Sequence, residues 1–288
     1  MFHYFRHQAL TGRFAAAARG VGIYHLGSDV LARWLLPLPP KTEQRRIAEV
    51  LDRADALRAK RRGALALLAD LKQAVFHSMF TAGAEARWSV LTVDDIALAS
   101  AGSIRTGPFG SQLLHSEFTD AGVAVLGIDN AVDNHFAWGG RRYISEQKYM
   151  QLKRYTVRPG DVLITIMGTC GRCAVVPEDI PLAINTKHLC CISLDRSKCL
   201  PEFLHAYFLG HPVARQYLGQ TAKGAIMEGL SMGIIKRLPV VIPPIALQGE
   251  FIRRAEQVAV SVDAMRVHLM DVDILVASLQ QRAFAGEL

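Results

Sequence analysis

The 288 residues carry 33 Lys and Arg against 26 Asp and Glu, a formal net charge of +7, with half of the residues hydrophobic and a fifth charged. That is about two domains' worth of chain, and its apolar share excludes both a disordered polypeptide and a small stapled module. The basic balance favours an acidic partner such as nucleic acid without locating where it binds.

Along the chain, the first feature is a repeat. Residues 26–40 (LGSDVLARWLLPLPP) recur as residues 230–244 (LSMGIIKRLPVVIPP) at a constant offset of 204, and the match runs from Gly20/Gly224 through Gln44/Gln248 to Phe80/Phe284. With one gap, Tyr4-Phe5 pairs with Tyr207-Phe208, so residues 1–40 read as the tail of a unit whose complete copy ends near residue 225. In each copy a strand-like run (residues 34–38 and 238–242) meets a Pro-Pro pair that cannot continue a sheet interior, and a helix follows. Thr42 is placed as the N-cap of the first helix, with Glu43 at its positive end.

Both helices carry a coiled-coil rhythm. With Ile47 as position a, the first offers Ile47, Ala54, Arg61, Leu68 and Val75 at a, and Val50, Leu57, Ala64 and Leu71 at d. The second keeps 4-3 spacing through Phe251, Ala255, Val258, Val262, Met265, Leu269, Val272, Val276, Leu279 and Ala283. Each is about 38 residues and roughly 55 Å long, which suits mutual packing. Residues 41–62 hold eight basic and four acidic side chains. The Lys60-Arg61-Arg62 cluster reads either as a contact for phosphate or an acidic partner subunit, or as a solvated face.

Between the helices, residues 84–225 show short β-rich runs (123–128, 161–166, 173–176, 188–194), helical stretches at 145–154 and 201–218, and a nearly balanced charge of fourteen Lys and Arg against thirteen Asp and Glu. The expected fold class is therefore α+β: one globular α/β recognition domain flanked by two long coiled-coil-forming helices. The expected boundaries are 1–40 (remnant of a first domain), 41–83 (first arm), 84–244 (recognition domain) and 245–288 (second arm). Glycine-punctuated loops supply the candidate contacts. Residues 103–111 offer Arg105, Thr106, Phe109 and Ser111, and read equally as a turn chosen for its Gly-Pro geometry. Asn130, Arg141, Arg172, Lys187, His188 and Lys223 stand at other predicted turns or strand ends. Arg and Asn can address guanine or adenine bidentately, and Lys suits phosphate.

Catalytic readings find little support. Cys170-Gly171-Arg172-Cys173 has CxxC spacing, with Cys190, Cys191, Cys199 and His188 downstream, but the second pair is adjacent instead of spaced, which fits zinc or redox chemistry poorly. Glu146-Gln147-Lys148 matches half of a metal-dependent nuclease motif, yet lies in a helix-like stretch where that motif needs a strand. A phosphate-binding G-x-x-x-x-G-K-[ST] loop, a G-x-G-x-x-G after a strand, an HExxH and an Asn-Pro-Pro-aromatic tetrapeptide are all missing from these 288 residues. The chain reads as a binder without catalytic or metal residues of its own. Apolar runs such as residues 162–167 fall short of the roughly 20 residues of a membrane span, and residues 1–14 do not read as a secretory leader. A cytoplasmic location with reduced cysteines is expected.

Residues 39–48 (PPKTEQRRIA) after a strand-like run, followed by a long helix, resemble the conserved region of specificity subunits of type I restriction-modification systems. Gly107-Pro108-Phe109-Gly110-Ser111, residues 159–163 and residues 168–172 are similar to recurrent segments of that family's target recognition domains. The resemblance implies a non-catalytic subunit that reads double-stranded DNA and docks methylase subunits and an ATP-dependent restriction subunit. S-adenosylmethionine, ATP and magnesium then belong to those partners, and no cofactor to this chain. A full family member has two recognition domains; here only one is complete, and the Glu-Gln signature becomes Leu247-Gln248 in the second copy. A half-length form is thus expected, restored to two domains by a homodimer through the long helices. The alternatives are a recognition-fused nuclease or methyltransferase, and a non-functional truncated remnant.

Overall fold

The computed structural model describes every residue except 21–22, 37, 82, 84–87 and 223–228, and the side chains of 69 and 222 are also left aside. Helices α1 (Phe2–Leu10), α2 (Arg13–Ala17), α3 (Ser28–Ala32) and α4 (Lys41–Phe80) come first, followed by β1 (Ser89–Thr92), α5 (Val93–Ile96) and β2 (Ile104–Thr106). The middle of the chain is short strands around one helix: β3 (Phe118–Thr119), β4 (Val123–Leu126), β5 (Tyr143–Ile144), α6 (Glu146–Leu152), β6 (Thr156–Val157), β7 (Val162–Thr165), β8 (Cys173–Val175), β9 (Ala183–Asn185) and β10 (Leu189–Ile192). Then come α7 (Pro201–Gly210), α8 (Pro212–Ala222), α9 (Met232–Lys236), β11 (Pro239–Ile242) and α10 (Ile245–Ala285). Two compact units result, residues 1–71 with 258–288 and residues 72–257, and the division falls inside both long helices.

The sequence repeat is a structural one. The α3/α9 pair and the starts of α4 and α10 stand 204 residues apart. The Tyr4 hydroxyl donates to the Leu35 carbonyl at 3.2 Å, and that of Tyr207 to the Pro239 carbonyl at 3.0 Å. The Gln44 amide donates to the Pro39 carbonyl at 2.7 Å, and that of Gln248 to the Pro243 carbonyl at 2.9 Å.

In the first unit α4 and α10 run antiparallel. Asp273 meets Arg62 at 3.4 Å and Arg58 at 3.7 Å, and Arg6 reaches Asp55 at 2.5 Å. Arg61 Nη1 lies 3.6 Å from Sδ of Met265, its own repeat counterpart, so a local two-fold of the helix pair passes beside them. Every expected seam position of α10 in this unit is buried or half-buried. In α4 the a row holds; of the expected d row Val50 and Ala64 are half-buried and Leu57 and Leu71 exposed, and Leu51, Arg58 and Leu65 are buried or half-buried beside it. Apolarity missed part of the seam because Asp55 and Arg58 enter it as an ion pair at 2.8 Å. Arg61 is turned toward α10, while Lys60 is exposed and the Arg62 side chain stays 58% exposed beside Asp273.

Two further expectations are corrected. Thr42 lies within the first turn of α4, which begins at Lys41, so it is no N-cap. Among the described residues, 34–38 form no strand, whereas β11 at the matching place pairs with β1. A strand is made by its partner: without a neighbour to satisfy its backbone groups, the same pattern stays irregular.

The second unit is layered. A four-stranded antiparallel sheet (β2-β10-β7-β8) packs on a five-stranded sheet (β3-β5-β4-β9-β6) in which β4 and β9 alone are parallel. Alternation divides the four-stranded sheet's side chains. Leu163, Ala174 and Cys191 face the other sheet, while Ile164, Cys173 and Cys190 face a core with Phe76, Phe80, Phe203 and Phe251 from α4, α7 and α10. The outer face of the five-stranded sheet (Val123, Val125, Ile144, Ile184) packs around Leu152 of α6. The single helical stretch expected over residues 201–218 is two helices, because Pro212 holds His211 extended at φ −72°, ψ 133°.

Candidate nucleic-acid interface

Four loops leave the two sheets at one end. The parallel pair β4–β9 sends residues 127–142 and 186–188 out side by side, and β2 and the β7–β8 hairpin add residues 107–112 and 166–172. Backbone bonds tie them together. The Gly107 N–H donates to the Thr186 carbonyl at 3.2 Å, that of Thr186 to Leu126 at 2.9 Å and that of Ile166 to His188 at 2.9 Å. Gly107 is required here: a Cβ would stand 2.0 Å from the Asn185 carbonyl oxygen.

The loop cluster displays Thr106, Phe109, Ser111, Arg141, Arg172, Lys187 and His188, each exposed or half-buried. A cleft of about 770 Å³ borders the cluster, lined by Arg141 and His188 of these seven residues together with Arg142, Asp129, His115, Phe118 and Thr186. Asp129 pairs with Arg142, and the Arg141 guanidinium lies over the Trp138 ring, 5.4 Å from its centroid. Burial, then Lys187, then Arg142, push the His188 pKa below the usual imidazole value. The permanent positive charge of the cleft lining is the guanidinium of Arg141 and that of Arg142, the latter paired with Asp129. No motif announced His115 or Phe118, which reach the cleft through pairing of a two-residue strand.

Two candidates are spent inside the fold. Arg105 is only 9% exposed on β2, where it binds Asp161 at 2.6 Å, Ser193 Oγ at 3.0 Å and the carbonyls of Gly102 and Thr156 at 3.2 and 2.5 Å. Its guanidinium is occupied by these four partners within the fold and ties the sheet ends together. Asn130 is buried, with Oδ1 accepting from the Gly127 N–H and Nδ2 donating to the Ala137 carbonyl, both at 2.9 Å, so its amide closes the 127–137 loop. Lys223 lies outside the described residues.

Cys173, Cys190 and Cys199 are buried in one apolar core. Cys190 and Cys191 project to opposite faces of the sheet, and burial pushes the thiols of Cys190 and Cys199 up to about 12 and that of Cys173 higher still. Among the described residues no three His, Cys, Asp or Glu side chains are placed to share a metal ion. Lys148 of the nuclease-like tripeptide sits in α6 and pairs with Glu117 at 2.6 Å.

No protein-family model matches the chain. Among curated proteins it is 29% identical to the type I restriction enzyme EcoBI specificity subunit of Escherichia coli, an alignment covering 99% of this chain and 65% of the relative. It is 24% identical to the EcoKI specificity subunit of Escherichia coli K12, covering 99% and 64%. The chain thus spans just under two thirds of the length of these relatives. Among solved structures, a chain from a type I R-M system studied for complex assembly and conformational transition matches with a TM-score of 0.68 at 21% identity, covering 100% of this chain and 70% of the other. The HsdS subunit from Thermoanaerobacter tengcongensis matches with a TM-score of 0.56, also at 21% identity, covering 99% and 70%. These likenesses establish a shared fold.

Proposed function

We propose that this chain, whose homologues are type I restriction enzyme specificity subunits, reads DNA sequence for a type I restriction-modification complex and catalyses nothing itself. The observation that carries this reading is the relation along 99% of the chain to two specificity subunits. The pinned loop cluster supplies a physical route: Arg141 and Arg172 to base edges or phosphates, Lys187 to phosphate, Thr106 and Ser111 as small hydroxyl contacts, and Phe109 as an exposed ring. Chemistry would sit on partners, with S-adenosylmethionine on methylase subunits and ATP with magnesium on the restriction subunit, in the cytoplasm.

The surface assigned to the methylase is on α10. Val260, Val267 and Ile274 recur every seven residues, are 70%, 56% and 67% exposed, and lie opposite the helix's buried seam, beside an exposed Met270. A second copy of the chain, paired through the long helices, would supply a second recognition unit and dictate a palindromic split target.

Methylome sequencing of cells with and without the gene tests the reading. Loss of one bipartite methylated motif on deletion is the expected result. An unchanged methylome, or turnover of DNA by the purified chain with magnesium or S-adenosylmethionine alone, would overturn it.

A further inference from the structure

Of the two guanidinium groups lining the cleft of the second unit, that of Arg142 is held by a carboxylate. Its Nη2 group donates to Oδ1 of Asp129, and the two side chains are 38% and 36% exposed. Backbone fixes both partners. The Arg142 carbonyl accepts from the Val125 N–H of β4 at 2.9 Å, which sets the residue at the mouth of β5. Asp129 stands in the turn that the Asn130 amide closes through Gly127 and Ala137. Arg141, the preceding residue, is instead exposed over the Trp138 ring.

The loop leaves room for this pair at two glycines. A Cβ on Gly127 would stand 2.5 Å from Arg142 Nη2 and 2.8 Å from Asp129 Oδ1, and one on Gly139 would collide with Asp129 Oδ2. Gly127 has φ −127° and ψ −169°, extended backbone open to any residue, so what excludes a side chain there is the ion pair and not strain. The pair also leaves donors unused. Asp129 takes one N–H of Nη2, whereas Nη1 and Nε make no hydrogen bond among the described residues, and Nε is buried as well. A buried donor without an acceptor is a cost that a bound acceptor removes.

Phosphate is a poor partner for this guanidinium, because the Asp129 carboxylate beside it repels an anion and already offsets its charge. An uncharged base edge suits it better. In the major groove a G·C pair presents two acceptors, guanine N7 and O6, next to the N4 donor of cytosine, and an arginine with a carboxylate at its side offers two donors next to an acceptor. With DNA reading by the second unit as the premise, we propose that Arg142 is a specificity-determining residue that reads the guanine of one G·C pair. Asp129 is its positioning residue: it holds the planar fork of donors at a fixed angle, which bidentate recognition needs. Gly127 and Gly139 leave the space in which that hold is made.

The test replaces the gene in its own cells with variant genes and reads each methylome. Arg142→Ala should relax a G·C position of the methylated motif, cutting the preference for guanine there by about tenfold or more, while the other positions keep theirs. Asp129→Ala and Gly127→Ala retain Arg142 but release its guanidinium, and should weaken the preference at that same position and at no other. Asp129→Asn, which keeps an acceptor oxygen, should weaken it less. Thermal unfolding of the purified chains should stay near the parent's for all four variants, because a half-exposed ion pair contributes little to stability. A motif unchanged by Arg142→Ala, relaxation at an A·T position, or loss of the whole motif by a folded Arg142→Ala chain would overturn the proposal. Relaxation by Asp129→Ala at a position that Arg142→Ala leaves strict would overturn the positioning role. Deletion of the parent gene without effect on the methylome is a separate failure, since it removes the premise that the chain reads DNA.

Discussion

Arg105 and Arg141 are the same residue type in glycine-punctuated stretches, and the fold gives them opposite work. Arg105 is bound to Asp161, Ser193 and two carbonyls beneath the loop cluster, while Arg141 is exposed over Trp138 beside the cleft. Nothing local distinguishes them, because Asp161 and Ser193 are 56 and 88 residues from Arg105 in the chain. Arg105→Ala is expected to leave Asp161 buried and uncompensated, costing about 3–5 kcal/mol in denaturant unfolding. Any loss of DNA binding should then be uniform across sequences. Arg141→Ala should leave stability within about 0.5 kcal/mol. It should also weaken DNA binding, with a salt slope smaller by about one if the contact is to phosphate. His205 carries a separate signature. Burial first, then Lys72, lower its pKa to about 4, while Nε2 stays within 2.8 Å of the Asn134 and 3.0 Å of the Cys173 carbonyl oxygens. The unfolded chain takes up this proton near pH 6.5 and the folded chain only near 4, so protonation favours unfolding. Stability should fall as pH drops through that window, by about 3 kcal/mol in all. His205→Gln, which keeps a donor for the carbonyls, should flatten that part of the stability profile measured by urea unfolding.

At the scale of elements, the repeat was legible because proline pairs, glutamines and helix rhythm survive independently of what surrounds them. The longer strands β4, β7, β8 and β10 were legible too, as apolar runs bounded by turn residues. β3, β5 and β6 are two residues each and carry no period, so only their partners define them. The same limit explains residues 34–38, which share the pattern of β11 without its ladder. The paired glutamines turn this into a measurement. Gln248→Ala removes three hydrogen bonds and leaves the N–H of half-buried Leu200 without its acceptor, which should cost about 1–3 kcal/mol. Gln44→Ala removes one exposed bond and should cost less than about 1 kcal/mol. Equal losses in thermal unfolding of the two variants would mean that the two copies are equally covered in solution.

For the whole molecule, net charge and the candidate interface part company. Of the +7, residues 1–62 carry all, and residues 84–225, with fourteen basic and thirteen acidic side chains, contribute one. Part of this basic charge is paired inside the first unit, Arg58 and Arg62 with Asp273 and Arg6 with Asp55. The DNA face proposed above is a local cluster on the second unit, and the protein face proposed with it is on the first. The apolar row of Val260, Val267 and Ile274 on α10 is the part of that face with no buried counterpart, since the α4 residues at the matching repeat positions are Ala56, Gly63 and Asp70. The repeat thus makes two helices of one design whose outer surfaces differ, and a partner docking on α10 would find no equivalent row on α4. Val267→Asp with Ile274→Asp changes only exposed side chains and should leave helicity and thermal stability near the parent's. Co-purification with the methylase subunit should fall at least tenfold, while Arg141-dependent DNA binding by the chain alone persists. A double variant that still co-purifies fully would move the docking surface off α10.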